Sequence, residues 1–208
     1  MNLKGKTMKV ILVGASGRIG REIGKLMSDN HSIVRVGVNS GDVQCDYTNK
    51  ESVASMFNTI GAFDALICVA GSDSVFKKFE ELEDDDYRYG FERKFLGQVG
   101  FATLGQKFIN DNGSFTFTSG FLSHYPHLAS IATGPFNAAI DTFAKTTAPL
   151  LPRGIRINVV SPAPVVEIGQ VKRGLVTAEQ TAKLFVNAVE GDMSGQILRA
   201  WGGLPLPD

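Results

Sequence analysis

Gly14, Gly17 and Gly20 stand at equal three-residue spacing inside Val10-Ile-Leu-Val-Gly-Ala-Ser-Gly-Arg-Ile-Gly20. The apolar run Val10 to Val13 reads as a buried strand. A helical pattern, Ile19, Ile23, Leu26 and Met27, begins before the glycines end. A strand that turns directly into a helix gathers unpaired backbone N–H groups and the positive end of the helix dipole at one spot, which suits phosphate. A Cβ at these glycines would obstruct the turn, the approach of a pyrophosphate or close helix–strand packing. Ser16, Gly17, Arg18 and Ile19 therefore stand where the pyrophosphate of a dinucleotide would lie. A glycine-rich turn without a ligand is the plainer reading of the same residues.

The other concentration of reactive side chains is Ser119-Gly-Phe-Leu-Ser-His-Tyr-Pro-His127, following the alternating strand pattern Gly113 to Ser119. Ser119 suits a hydrogen bond to a carbonyl or oxyanion. Ser123, His124 and Tyr125 are either relocated acids or exposed loop residues, while His31 and His127 read as structural or exposed. No Ser–His–Asp order and no zinc-type cluster is present, so no metal is expected. Cys45 and Cys68 lack metal-ligand spacing and sit in apolar contexts. They read as buried thiols of a reducing cytoplasm. Lys plus Arg and Asp plus Glu balance at 21 each, which gives no reason to expect nucleic acid or an acidic membrane as partner. No apolar run approaches spanning length. The leader Met1 to Thr7 is too polar for a signal peptide, and Met8 is a possible natural start.

These residues need a scaffold, and strand and helix patterns alternate to supply one. Further strands are expected at Ser32–Val38, near Gln44 and Cys45, at Phe63–Gly71, at Gly154–Val160 and at Gly195–Trp201. Thr48 with Glu51, and Thr177 with Gln180, form capping-box signatures ahead of two helices. The acidic run Glu80 to Asp86 reads as a solvated helix end or loop. A long amphipathic stretch runs from about Tyr87 to Asn110 with Phe91, Phe95, Val99 and Leu104 on related faces, and another helix precedes Pro152. No repeat or linker interrupts the 208 residues. The expectation is one α/β domain over 1–208, a Rossmann-type doubly wound parallel sheet with helices on both faces.

Over nearly its whole length the chain resembles the short-chain dehydrogenase/reductase family. Gly14, Gly17 and Gly20 resemble its phosphate turn, and Asp46 its aspartate at the adenine edge. Val69-Ala70-Gly71 resembles the strand end beside the adenosine ribose, with Cys68 and Val69 where asparagines are usual. Ser119 resembles the active-site serine, and Pro162-Ala163-Pro164-Val165 the segment flanking the nicotinamide amide. The resemblance implies a nicotinamide dinucleotide, a small-molecule substrate and a homodimer or homotetramer.

Departures from the family pattern are as informative. The family's Tyr-x-x-x-Lys pair is absent, Thr133 standing at the tyrosine position and Asn137 at the lysine position. An aliphatic hydroxyl is a far weaker acid than a phenol. Registering the long helix on Gly97 places Lys94 at the family's asparagine position, so lysine and asparagine stand exchanged between two helices. The proton would then come from Tyr125, from water held by Lys94 or from Lys94 itself. The carboxylate that selects NAD at the end of the second strand is also missing; Val38, Asn39 and Ser40 stand there. Arg18 and Ser40 would favour a 2′-phosphate, hence NADP(H) over NAD(H). The short segment Val165 to Val176 predicts an open or small substrate site, or a lid from a partner subunit. Apolar Trp201 to Pro207 is expected to dock on a neighbour. An oxidoreductase of small carbonyls or alcohols, a catalytically silent dinucleotide-binding sensor or scaffold, and a non-redox isomerase or dehydratase all remain open.

Overall fold

Segments rich in Val, Ile and Phe pair into strands here, and because both faces of the sheet are covered the runs at residues 10–13 and 65–68 are apolar throughout, while residues 114–118 alternate Phe with Ser and Thr. In the computed structural model, residues 7–71 and 74–207 are described; all but the last residue of the leader read above lies outside them. β1 (Lys9–Val13), β2 (Ser32–Gly37), β3 (Val43–Gln44), β4 (Phe63–Cys68), β5 (Ile109–Thr118), β6 (Arg156–Pro162) and β9 (Ile197–Ala200) form a parallel sheet of order β3-β2-β1-β4-β5-β6-β9. The order reverses between β1 and β4, and a crevice opens at such a switch point beyond the strand C-termini. A separate two-residue pair, β7 (Val165–Val166) with β8 (Val176–Thr177), holds the segment after β6.

One face of the sheet packs on α1 (Arg18–Met27) and α6 (Ala178–Glu190), with Ile23, Met27, Phe185 and Val189 buried against Val10, Leu12 and Ile67. The other face meets α2 (Lys50–Ile60), α4 (Gly97–Gly105) and α5 (Ser130–Thr147), and α3 (Asp84–Gly90) packs outside it against α5. Here an aromatic layer fills the core: Phe57 stacks on Phe63 and Phe108, and Phe101 meets Phe57 edge-on. Between α3 and α4 the chain continues as a π-helical segment, Phe91–Leu96, a local widening that often accompanies function.

Four local expectations are corrected. The cap of α2 is Asn49, whose side chain accepts from the Ser52 N–H, and not Thr48. Thr48 is instead drawn to Asp46, donating its hydroxyl and backbone N–H to that carboxylate at 2.7 and 3.0 Å. Trp201 does not reach out toward a neighbour: it is buried, and its indole N–H donates to Ser161 Oγ at 3.2 Å. The Thr177–Gln180 box forms as read, with both reciprocal bonds present. Strand β4 stops at Cys68 rather than Gly71, and β5 begins earlier, at Ile109, through a register shift opposite Phe63 and Ala65.

Candidate active site

A cleft of about 760 Å³ lies at the switch point, beyond the C-terminal ends of β1, β4, β5 and β6. Its first wall is the glycine turn. Gly14 adopts φ +84°, a left-handed conformation, and its N–H donates to the Val36 carbonyl at 2.9 Å. Gly20 packs so closely under the turn that a Cβ would run into the Gly14 carbonyl oxygen and the Ala15 backbone. Gly17 caps α1, and Gly17, Arg18, Ile19 and Gly20 all line the cleft. Val69, Ala70 and Gly71 form its floor at the end of β4, and Pro162, Ala163, Pro164 and Val165 close the far side. Arg18 crosses the mouth, donating from Nη1 to the Val165 carbonyl at 3.0 Å.

The opposite end is polar and buried. Gln98 ties α4 to the tip of β5: its Nε2 donates to the Thr118 carbonyl at 3.0 Å and its Oε1 accepts from the Thr118 N–H at 2.8 Å. The Thr118 hydroxyl donates across to the Cys68 carbonyl at 2.6 Å, locking β5 to β4 where the cleft begins. Lys94, on the π-helical segment and 9% exposed, donates from Nζ to the Ser119 carbonyl at 2.9 Å and lies 5.7 Å from the Phe136 ring centroid. Its stem also stands against Gly71. From α5, Thr133, Asn137 and Asp141 recur every fourth residue on one helix face. The Thr133 hydroxyl accepts from the Val75 N–H at 3.2 Å. Among the described residues, Ser119 Oγ, Asn137 Oδ1 and Asp141 Oδ1 are buried without a hydrogen-bond partner, an arrangement that in a folded protein calls for an account.

Ser119, Lys94, Thr133 and Asn137 therefore meet on one cleft together with the glycine turn, Ala70, Gly71, Pro162 and Val165. Several other residues singled out in the sequence do not join them. Tyr125 lies off the cleft, its hydroxyl donating to the Pro205 carbonyl at 2.6 Å and its ring against Trp201. His124 also packs on Trp201. Asn39, Ser40 and Asp46 are exposed and outside the cleft lining, as is Ser16. The Asp46 carboxyl is held below its usual range by the Thr48 hydroxyl and N–H.

Sequence reasoning overlooked other neighbours. Phe76, Phe121 and Leu122 give the cleft an apolar side, and His127, read as structural, lines it while accepting at Nδ1 from the Ala129 N–H at 3.1 Å. Asp141 was overlooked as well. Its spacing from Thr133 and Asn137 was the available signal. Cys68, wholly buried beside the floor, has its thiol pushed up to about 12 by desolvation and is inert as a nucleophile. No group of three or more His, Cys, Asp or Glu side chains suited to a metal ion occurs among the described residues, and none of their helices is long and apolar enough to cross a membrane.

The sequence pattern of the family described as Enoyl-(Acyl carrier protein) reductase matches residues 4–187. An uncharacterized oxidoreductase of Methylorubrum extorquens is 26% identical over 218 residues, 93% of this chain and 86% of the relative. Among solved structures, the protein lin1944 from Listeria innocua is 33% identical with a TM-score of 0.87, covering 94% of this chain and 100% of that one. A small-chain dehydrogenase solved in complex with NADPH is 28% identical with a TM-score of 0.84, over 95% and 98% of the two chains. With its parallel sheet, its glycine turn and these matches over most of its length, the chain belongs to the short-chain dehydrogenase/reductase family.

Proposed function

We propose that this protein is an NAD(P)-dependent oxidoreductase that interconverts a small carbonyl compound and its alcohol, with NADP(H) preferred. The observation that carries the reading is the Ser119 hydroxyl, buried and unpartnered on the wall of a cleft that begins at the glycine turn. The residues present fit a dinucleotide. Gly14 and Gly20 admit no Cβ, Gly17 faces outward, and Ala70, Gly71 and Pro162 to Val165 leave a continuous trough between the turn and Ser119. When bound, the nicotinamide supplies or accepts the hydride. Ser119 binds the substrate oxygen, the Lys94 amine fixes the Ser119 backbone from the cleft floor, and the Asn137 amide orients the bound molecules. Thr133 serves as an anchor for the loop after β4, its oxygen accepting from the Val75 N–H, and an aliphatic hydroxyl is too weak an acid to replace a phenol. The apolar side formed by Phe76, Phe121 and Leu122 suits a substrate with a hydrocarbon flank.

NADP(H) preference draws on the absent carboxylate after β2 and on the NADPH held by the small-chain dehydrogenase relative. Titration of protein fluorescence with NADPH and NADH tests both levels. Tighter NADPH binding is expected, equal or tighter NADH binding removes the preference, and binding of neither removes the dinucleotide reading. A catalytically silent dinucleotide-binding role is the second reading. Among the described residues the cleft lining contains no tyrosine, which favours it, and absence of turnover with NADPH bound would select it. The assembly we propose is a homodimer through the helices around Tyr89–Gly100. There Leu96 is 54% exposed and, with Tyr89, borders a groove floored by Gly97 and Gly100.

A further inference from the structure

Asp141 is a buried carboxyl for which the reading above has no use. It is 5% exposed, one helical turn beyond Asn137 on α5, and Ser119 and Asn137 in front of it are 2% and 1% exposed. The three side chains present Ser119 Oγ, Asn137 Oδ1 and Asp141 Oδ1 with hydrogen-bonding capacity unspent. Gly120 lets Asn137 approach, since a Cβ there would meet the amide nitrogen at 3.0 Å. A structural carboxylate would normally be satisfied by donors in place; this one faces a serine hydroxyl that is itself buried, on a residue that lines the cleft.

Resting on the oxidoreductase reading, we propose that Asp141 holds the proton that the missing phenol would have carried and passes it through the Ser119 hydroxyl to the substrate oxygen. In the direction of reduction, the carbonyl carbon takes the hydride of the reduced dinucleotide, and the electron pair of the C=O bond moves to oxygen. That oxygen bonds the Ser119 proton as the Ser119 O–H bond breaks. Ser119 Oγ then bonds the Asp141 proton, leaving a carboxylate that solvent reprotonates before the next turnover. The carbonyl is reduced to the alcohol, the dinucleotide is oxidised, and the serine is unchanged. Oxidation runs the same path backwards, with the carboxylate accepting.

The surroundings of Asp141 suit a group that alternates between the two forms. Desolvation favours the neutral acid and pushes the carboxyl above its usual range. Opposing this are the Ser119 hydroxyl, then His124 from the turn after β5, Lys145 from α5 and Arg199 from β9. The hydroxyl and the carboxyl stand as neighbours short of a formed hydrogen bond. A substrate oxygen on the cleft side of Ser119 completes the chain.

The test uses the full-length protein with NADPH and 2,3-butanedione as the carbonyl probe. It adds carbon-13 NMR of aspartate carboxyls, with the Asp141 signal assigned by its loss in Asp141→Asn. The Asp141 signal is expected to titrate above the ordinary carboxyl range and to move higher still in Ser119→Ala. Asp141→Asn should lower kcat by about a hundredfold, the scale of general acid catalysis. It should abolish the fall of kcat at high pH and leave the NADPH dissociation constant within about twofold, and Asp141→Glu should restore part of the rate. An ordinary titration indifferent to Ser119→Ala, or a wild-type kcat and pH profile in Asp141→Asn, overturns the relay while the oxidoreductase reading stands. If the unaltered protein fails to bind NADPH or to reduce the probe, the oxidoreductase reading falls. The NMR titration then judges the carboxyl–hydroxyl pair alone.

Discussion

Lys94 and Asp141 approach the same serine from two helices, one at its carbonyl and one at its hydroxyl. Neither sits there cheaply, because desolvating an amine or a carboxyl costs free energy that partners only partly return. Replacing Lys94 with Met removes the donor from the Ser119 carbonyl and is expected to cost about 1–3 kcal/mol, read from urea unfolding. NADPH binding should weaken in the same variant, and unchanged affinity would exclude Lys94 from the dinucleotide site. For Asp141 the sign follows from its raised folded-state value. The stabilising balance is complete below the unfolded value near 3.8 and is lost as pH rises through the folded one. Asp141→Asn should therefore flatten the decline of stability above pH 4, so that its melting temperature gains on the wild type as pH increases. A constant difference across that range would show that the buried carboxyl does not titrate with unfolding.

Elements bring these groups to one place through strand ends and helix starts, where backbone groups have no partner of their own. The turn from β1 into α1 tolerates nothing larger than hydrogen at residue 20, because the Gly14 carbonyl already fills that space. Gly20→Ala is expected to destabilise the fold by about 1–3 kcal/mol through overpacking and to abolish detectable NADPH binding by fluorescence. Thr177→Ala provides the contrast. It removes one half of the α6 capping box and should cost about 1 kcal/mol with NADPH affinity unchanged, since Thr177 lies outside the cleft. Equal loss of binding in both variants would mean that affinity tracks global stability and not the turn.

At the scale of the whole molecule, the switch point of the sheet sets where the cleft opens, and the helices on the aromatic side leave one face open. Tyr89 and Leu96 are exposed there beside Gly97 and Gly100, and apolar side chains next to small residues are a surface that a second copy can cover by two-fold symmetry. Light scattering at micromolar concentration should give twice the chain mass of 22.4 kDa, and Leu96→Lys should shift it toward the monomer. A monomeric mass for the unaltered protein would rule out this assembly.

The order of strands and helices was legible in the sequence because each signal for it is local. Apolar runs, glycine spacing and the Thr177–Gln180 box act within a few residues and survive folding unchanged. That Ser119 and the glycine turn belong to one crevice followed from the parallel order alone. Cap choice failed at Thr48 because its hydroxyl and N–H are spent on Asp46, leaving Asn49 one residue on to accept from the Ser52 N–H, and only the completed turn decides this. The placing of Tyr125 against Pro205, of Arg18 on Val165, of His127 in the cleft and of Trp201 in the interior all depend on residues up to 147 positions away. Asp141 lay in the periodicity of α5 but carried no meaning until β5 set Ser119 opposite it. Local propensity is written residue by residue, whereas burial and electrostatics are properties of what surrounds a side chain, and only the tertiary structure supplies the surroundings.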